Sequence, residues 1–165
     1  MNILRQIIGF LAIALLGAIL GAAIYESVVM VPNYTADIPN SLEHFRLFMR
    51  EANPGNYFRV VAPMAQISLL ACVILCWKSP SARWAYLLAL IALIATDVVT
   101  FTFHYPRNDF LFRAPLTQPV PELVTAAREW GVGNLGRIAL LITSTLGACL
   151  GLRAVLRSDN RVSGR

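Results

Sequence analysis

Four apolar runs, each about the length of a bilayer-spanning helix, constrain this chain more than any other feature. A span needs ~20 mostly apolar residues, and stretches of that kind cover residues 7–31, 57–77, 84–104 and 134–156. Their borders are marked by breakers and charges: Pro32 after the first, Lys78-Ser79-Pro80 after the second, Tyr105-Pro106 after the third and an arginine-rich tail over 157–165 after the fourth. Composition agrees, with 57% hydrophobic and 14% charged residues against ~25% charged in an average soluble domain. The expected fold is all-α, a single four-transmembrane-helix bundle with a flexible, solvent-facing tail. The net charge of +5 does not indicate nucleic acid, because the arginines are scattered between apolar runs instead of gathered on one face. A signal peptide would end near Gly21-Ala22-Ala23, yet the apolar run continues through Val31 and reads as a span.

Charge distribution bears on topology. Four spans put both termini and the short connector on one side, where seven basic residues (Arg5, Lys78, Arg83, Arg153, Arg157, Arg161, Arg165) face the single acid Asp159. The other side carries seven arginines and eight acids. The positive-inside rule counts Lys and Arg only, and by that count the sides tie. Taking Arg59 and Arg137 as lying inside their helices places both termini in the cytoplasm of an inner-membrane, multi-pass protein. The two outer loops each carry an amphipathic pattern. Leu42, Phe45, Phe48 and Met49 recur at helical spacing within 41–52, with Asn40 or Ser41 as N-cap, and Leu123, Val124, Ala127 and Trp130 do so within 121–130.

Ionisable groups inside a span usually face the bundle interior. Glu26 lies six residues before Pro32 and Asp97 seven before His104, so both carboxylates are expected about 9–10 Å below the outer helix ends. The stripe Ala14, Ala18, Ala22 leads to Glu26 and predicts an inward face of small residues. Asp97, Thr100, Phe101 and His104 follow i, i+3, i+4, i+7 and are expected on one face. Arg59 and Gln66 share a face of the second span, with Pro63 between them unable to bond the Arg59 carbonyl. Asn134 and Arg137 stand one turn apart on the fourth. Every span thus supplies a polar group to the outer half. Such a set is either a pocket open to the outer side or a network of buried ion pairs that fixes helix register, and both readings are open at this point.

A metal site has little support: His44 and His104 form no Glu-x-x-His or i, i+4 pair. Cys72 and Cys76, with Cys149, lack Cys-x-x-Cys spacing and read as packing residues. The aromatics Phe101, Phe103, Tyr105, Phe110 and Phe112 suit either a flat ligand or an interfacial belt.

The segment over 102–111, with its Pro106-x-Asn108-x-x-Leu111 core, followed by Trp130-x-x-x-Asn134-x-x-Arg137, resembles the small four-helix membrane proteins of the anthrone oxygenase-like family. The resemblance implies oxidation of hydroxyanthrones to anthraquinones by dioxygen without a known cofactor. It implies dioxygen and an aromatic small molecule as partners in a lipid setting. In that chemistry His104 or Asp97 is the expected base, and Arg137 with Asn108 stabilises the oxyanion and the peroxide. Glu26, Arg59, Gln66, Thr100, Asn134 and Trp130 are expected to bind or orient the substrate. The rival expectation is a non-enzymatic membrane protein whose polar network is structural or holds a lipid or quinone.

Overall fold

The computed structural model describes the backbone of residues 2–163 and the side chains of residues 3–158. The chain is built of helices: α1 (Asn2–Tyr25), α2 (Val31–Thr35), α3 (Asn40–Phe48), α4 (Pro54–Leu75), α5 (Pro80–Val99), α6 (Tyr105–Phe112) and α7 (Val120–Ser163). Two π-helical turns, Glu26–Met30 and Thr100–His104, join α1 to α2 and α5 to α6 without breaking the rod. Four helical rods are therefore long and apolar enough to cross a membrane, over Ile3–Thr35, Pro54–Leu75, Pro80–Phe112 and Val120–Ser158. Each is packed on its neighbours in a ring, α1 on α4, α4 on α5, α5 on α7 and α7 on α1. The apolar surface that remains exposed, including Ile67, Ile91 and Leu135, is what lipid would cover.

Local sequence explains where the rods begin. At α4 the Asn53 side chain accepts from the Gly55 N–H and the Asn56 side chain accepts from the Asn53 N–H, a capping box followed by Pro54 in the first turn. A connector of a few residues before Pro80 makes α4 and α5 antiparallel neighbours. In the half of the bundle nearest that connector, Tyr86 of α5 is fully buried between Gly9 of α1 and Gly151 of α7. A Cβ at Gly151 would sit 2.9 Å from its ring, so the small residues set this close approach.

The two π turns share one cause. Proline has no N–H to donate and its ring collides with the carbonyl four residues back. Here Val31, just before Pro32, bonds the Glu26 carbonyl, and Tyr105, just before Pro106, bonds the Thr100 carbonyl, five residues back in both cases. The side chain that follows each proline reaches back four residues to a carbonyl of the turn. Asn33 donates to Val29 O at 2.7 Å and Arg107 to Phe103 O at 3.0 Å. α4, by contrast, continues as α-helix through Pro63.

Several expectations change. The stretch 121–130 is not a separate amphipathic helix but the start of α7, continuous with the fourth span. α3 forms where expected, yet Phe48 is 80% exposed and Arg46 turns inward. Pro39, not Asn40 or Ser41, occupies the N-cap position, and no side chain caps there. On α1 the buried line is Ala12, Leu16, Ile19, Ala23 and Glu26, whereas Ala14 and Ala18 are exposed. That buried face mixes alanine with leucine and isoleucine, and of the expected stripe Ala14 and Ala18 lie on the opposite side of the helix while Ala22 is half-buried. Of the expected tail, 157–163 continues as helix, and Gly164 and Arg165 lie outside the described residues.

Candidate functional site

At the end of the bundle covered by α3, a cavity of about 460 Å³ opens between the rods, within the usual size of small-molecule sites. Glu26, Met30 and Tyr34 line it from the first rod. The π turn sets that alignment. The extra residue it accommodates turns the following chain by about 100° relative to a plain α-helix, which brings Tyr34 back into line with Glu26. Tyr105, Asn108 and Phe112 line it from α6, Trp130 from α7, Phe45 and Arg46 from α3, and Arg59 from α4.

Aromatic side chains form one wall. Tyr34 packs on Phe45 (ring centroids 5.1 Å), Phe112 (5.4 Å) and Trp130 (6.4 Å). Trp130 is fixed by its indole N–H, which donates to Asn108 Oδ1 at 2.6 Å. Arg46 donates from Nε to the Leu111 carbonyl and from Nη1 to the Ala114 carbonyl, both at 2.8 Å, and ties α3 to the C-terminal end of α6. Four arginines (Arg46, Arg50, Arg59, Arg113) and two acids (Glu26, Asp109) line the cavity, a balance that favours anionic ligands.

Glu26 is 6% exposed, and its Oε2 has no hydrogen-bond partner. Arg137 lies behind it, Nη1 to Oε2 at 3.7 Å, with its guanidinium 5.3 Å from the Phe58 ring centroid. Arg137 is held in turn by Asn134, whose Oδ1 accepts from it at 3.1 Å. Asn134 also donates to the Ala23 carbonyl (3.0 Å) and to Ser27 Oγ (2.8 Å), pinning α7 to the first rod. A carboxylate at the cavity thus has its countercharge held rigidly behind it.

The other expected site residues lie elsewhere. Asp97 accepts a hydrogen bond from Gln66 between α5 and α4, within electrostatic reach of Arg137 but outside the cavity lining. Thr100 donates to the Thr96 carbonyl at 2.8 Å within its own helix. His104 is 1% exposed, edge-on to Trp130 (5.0 Å) and Phe103 (5.4 Å), with the backbone of Gly133 within hydrogen-bonding reach of its ring. Asp97 and His104 do not share a face, because the π turn between them shifts the register. The indole of Trp130 stands between His104 and the cavity. Arg59 is at the rim, exposed, with Nε donating to the Gly55 carbonyl at 3.1 Å. Of the predicted residues, the cavity therefore gathers Glu26, Arg59, Asn108 and Trp130; it backs Glu26 with Arg137 and Asn134 and leaves out Gln66, Asp97, Thr100 and His104. Among the described residues no three His, Cys, Asp or Glu side chains come together as a metal site. Tyr34 and Arg46 belong to the cavity and escape a reading by helical spacing, Tyr34 because the π turn moves it and Arg46 because it lies on the polar face of α3.

No curated protein and no solved structure shows significant similarity to the chain. A family profile does: that of anthrone oxygenase matches residues 48–147, more than half the chain, from the end of α3 into α7. The match takes in Asn108, Trp130 and Arg137, and on this ground the protein belongs to the anthrone oxygenase family.

Proposed function

We propose that the protein oxidises hydroxyanthrone-like polycyclic phenols to quinones with dioxygen, in the cavity under α3. The observation that carries this reading is the buried Glu26 carboxylate, ion-paired with Arg137 but without a hydrogen bond at Oε2, beside an aromatic wall that suits a flat ring system. Family membership supports an oxygenase-like reaction class. The ring CH2 of an anthrone is acidic, since its carbanion is an aromatic enolate, and Glu26 is the cavity's best-placed acceptor for that proton. The enolate reduces dioxygen and forms a C–O bond, giving a substrate peroxide anion that regains the proton from Glu26. Removal of the second C–H proton by Glu26 then breaks the O–O bond, leaving the new carbonyl, and the departing hydroxide takes that proton as water. Anthrone and dioxygen thus become quinone and water. Arg137 keeps Glu26 aligned, Trp130 and Asn108 orient the ring, and the arginines at the rim draw in phenolates.

The bundle is assigned to the inner membrane with its termini in the cytoplasm, a placement supported by the basic connector and tail. The rival, a structural network without turnover, is favoured by how fully Asn134 is committed to helix pairing. Oxygen uptake by the purified protein separates them. A panel of anthrones and quinols is expected to include a substrate that consumes one dioxygen per molecule and yields the quinone. No uptake with any member sinks the oxygenase reading.

A further inference from the structure

Three polar atoms near the floor of the cavity are buried without hydrogen bonds: Glu26 Oε2, Arg137 Nε and the Tyr34 hydroxyl. Glu26 and Arg137 answer each other's charge. Tyr34 does not have that explanation. Its ring is 1% exposed and held on several sides by Phe45, Phe112 and Trp130, so the hydroxyl cannot swing out to water. A buried phenol normally finds a partner, and leaving a hydroxyl dry costs on the order of 1–3 kcal/mol. A phenylalanine would pack the same wall without that cost. The hydroxyl is on a residue that lines the cavity and lies within electrostatic reach of the Glu26 carboxylate.

We propose that Tyr34 is a further catalytic residue, whose hydroxyl donates a hydrogen bond to the substrate oxygen that becomes negatively charged next to Glu26. The inference rests on the oxygenase reading above. In that reaction the oxygen is the distal atom of the peroxide, bonded through its neighbour to the carbon that Glu26 deprotonates. Donor and base then act on the two ends of one C–O–O unit, which fits their placement on one side of the first rod. Tyr34 keeps its own proton throughout: the proton from carbon passes by way of Glu26, and the phenol only stabilises charge as it forms. The same geometry gives Pro32 a role, because the π turn that it causes is what sets Tyr34 in line with Glu26.

The test compares wild type with Tyr34→Phe in anthrone-dependent oxygen uptake, with thermal stability in detergent measured beside it. The expected result is a kcat lower by about 10²-fold, a KM within twofold and a melting temperature equal to or above that of wild type, since every ring contact survives and the dry hydroxyl is gone. Full turnover by Tyr34→Phe with an active wild type overturns the role of Tyr34 alone. An inactive wild type on every anthrone overturns the oxygenase reading and this inference with it. Fluorotyrosine at position 34, a stronger donor of nearly the same shape, provides a second measure independent of the folding of Tyr34→Phe. It is expected to change kcat at least twofold, and an unchanged kcat counts against the proposal.

Discussion

The two proline-linked π turns are built alike and do different things. Each spans five residues, each ends two residues before a proline, and in each the side chain after the proline donates to a carbonyl four residues back. The turn at Glu26–Met30 faces the cavity and delivers a carboxylate and, through α2, a phenol. The turn at Thr100–His104 faces α7 and delivers a histidine into a sealed aromatic space. π turns are frequent at functional sites, but the turn alone does not make one. What decides is the neighbour. Opposite the first turn stands Arg137, and opposite the second stands Gly133, where an added Cβ would run into the Phe103 ring.

That contrast can be broken at several points. The largest effect is expected for Arg137→Ala, which leaves Glu26 buried without its countercharge and should cost about 3–5 kcal/mol, read as a lower melting temperature in detergent. Gly133→Ala should cost about 1–3 kcal/mol through crowding against Phe103, read in the same assay, with substrate affinity retained. Pro32→Ala and Pro106→Ala allow each turn to relax to α-helix. Pro32→Ala is expected to lower turnover more, on the order of 10²-fold, because it swings Tyr34 off the Glu26 line. The smallest effect is expected for His104→Phe. Its ring sits in an apolar aromatic space with the Gly133 backbone beside it, so an apolar ring of similar shape should cost no more than about 1 kcal/mol, the net worth of one hydrogen bond.

Much of the architecture was legible from the chain. Run length and flanking charge suffice for four spans, because lipid imposes a length on any helix that crosses it. The inward direction of Glu26 was also legible, although Ala14 and Ala18 of the stripe that suggested it face outward. Spacing failed at His104 for a definite reason. An i, i+7 rule assumes 3.6 residues per turn from end to end, and one π turn between Asp97 and His104 removes that premise. The signal for both turns was present in Pro32 and Pro106, each inside a helical run instead of at its end. Arg46 was hidden differently, since its partners are backbone carbonyls at Leu111 and Ala114, which no side-chain pattern records.

The account places the reacting group on the first turn and not on the second, and one measurement separates them: anthrone-dependent oxygen uptake by Glu26→Gln and His104→Phe side by side with wild type. The prediction is a loss of about 10²–10⁴-fold for Glu26→Gln, the usual scale for removing a general base, and turnover within about twofold of wild type for His104→Phe. Full activity in Glu26→Gln together with its loss in His104→Phe would contradict the account and move the base to the space behind Trp130.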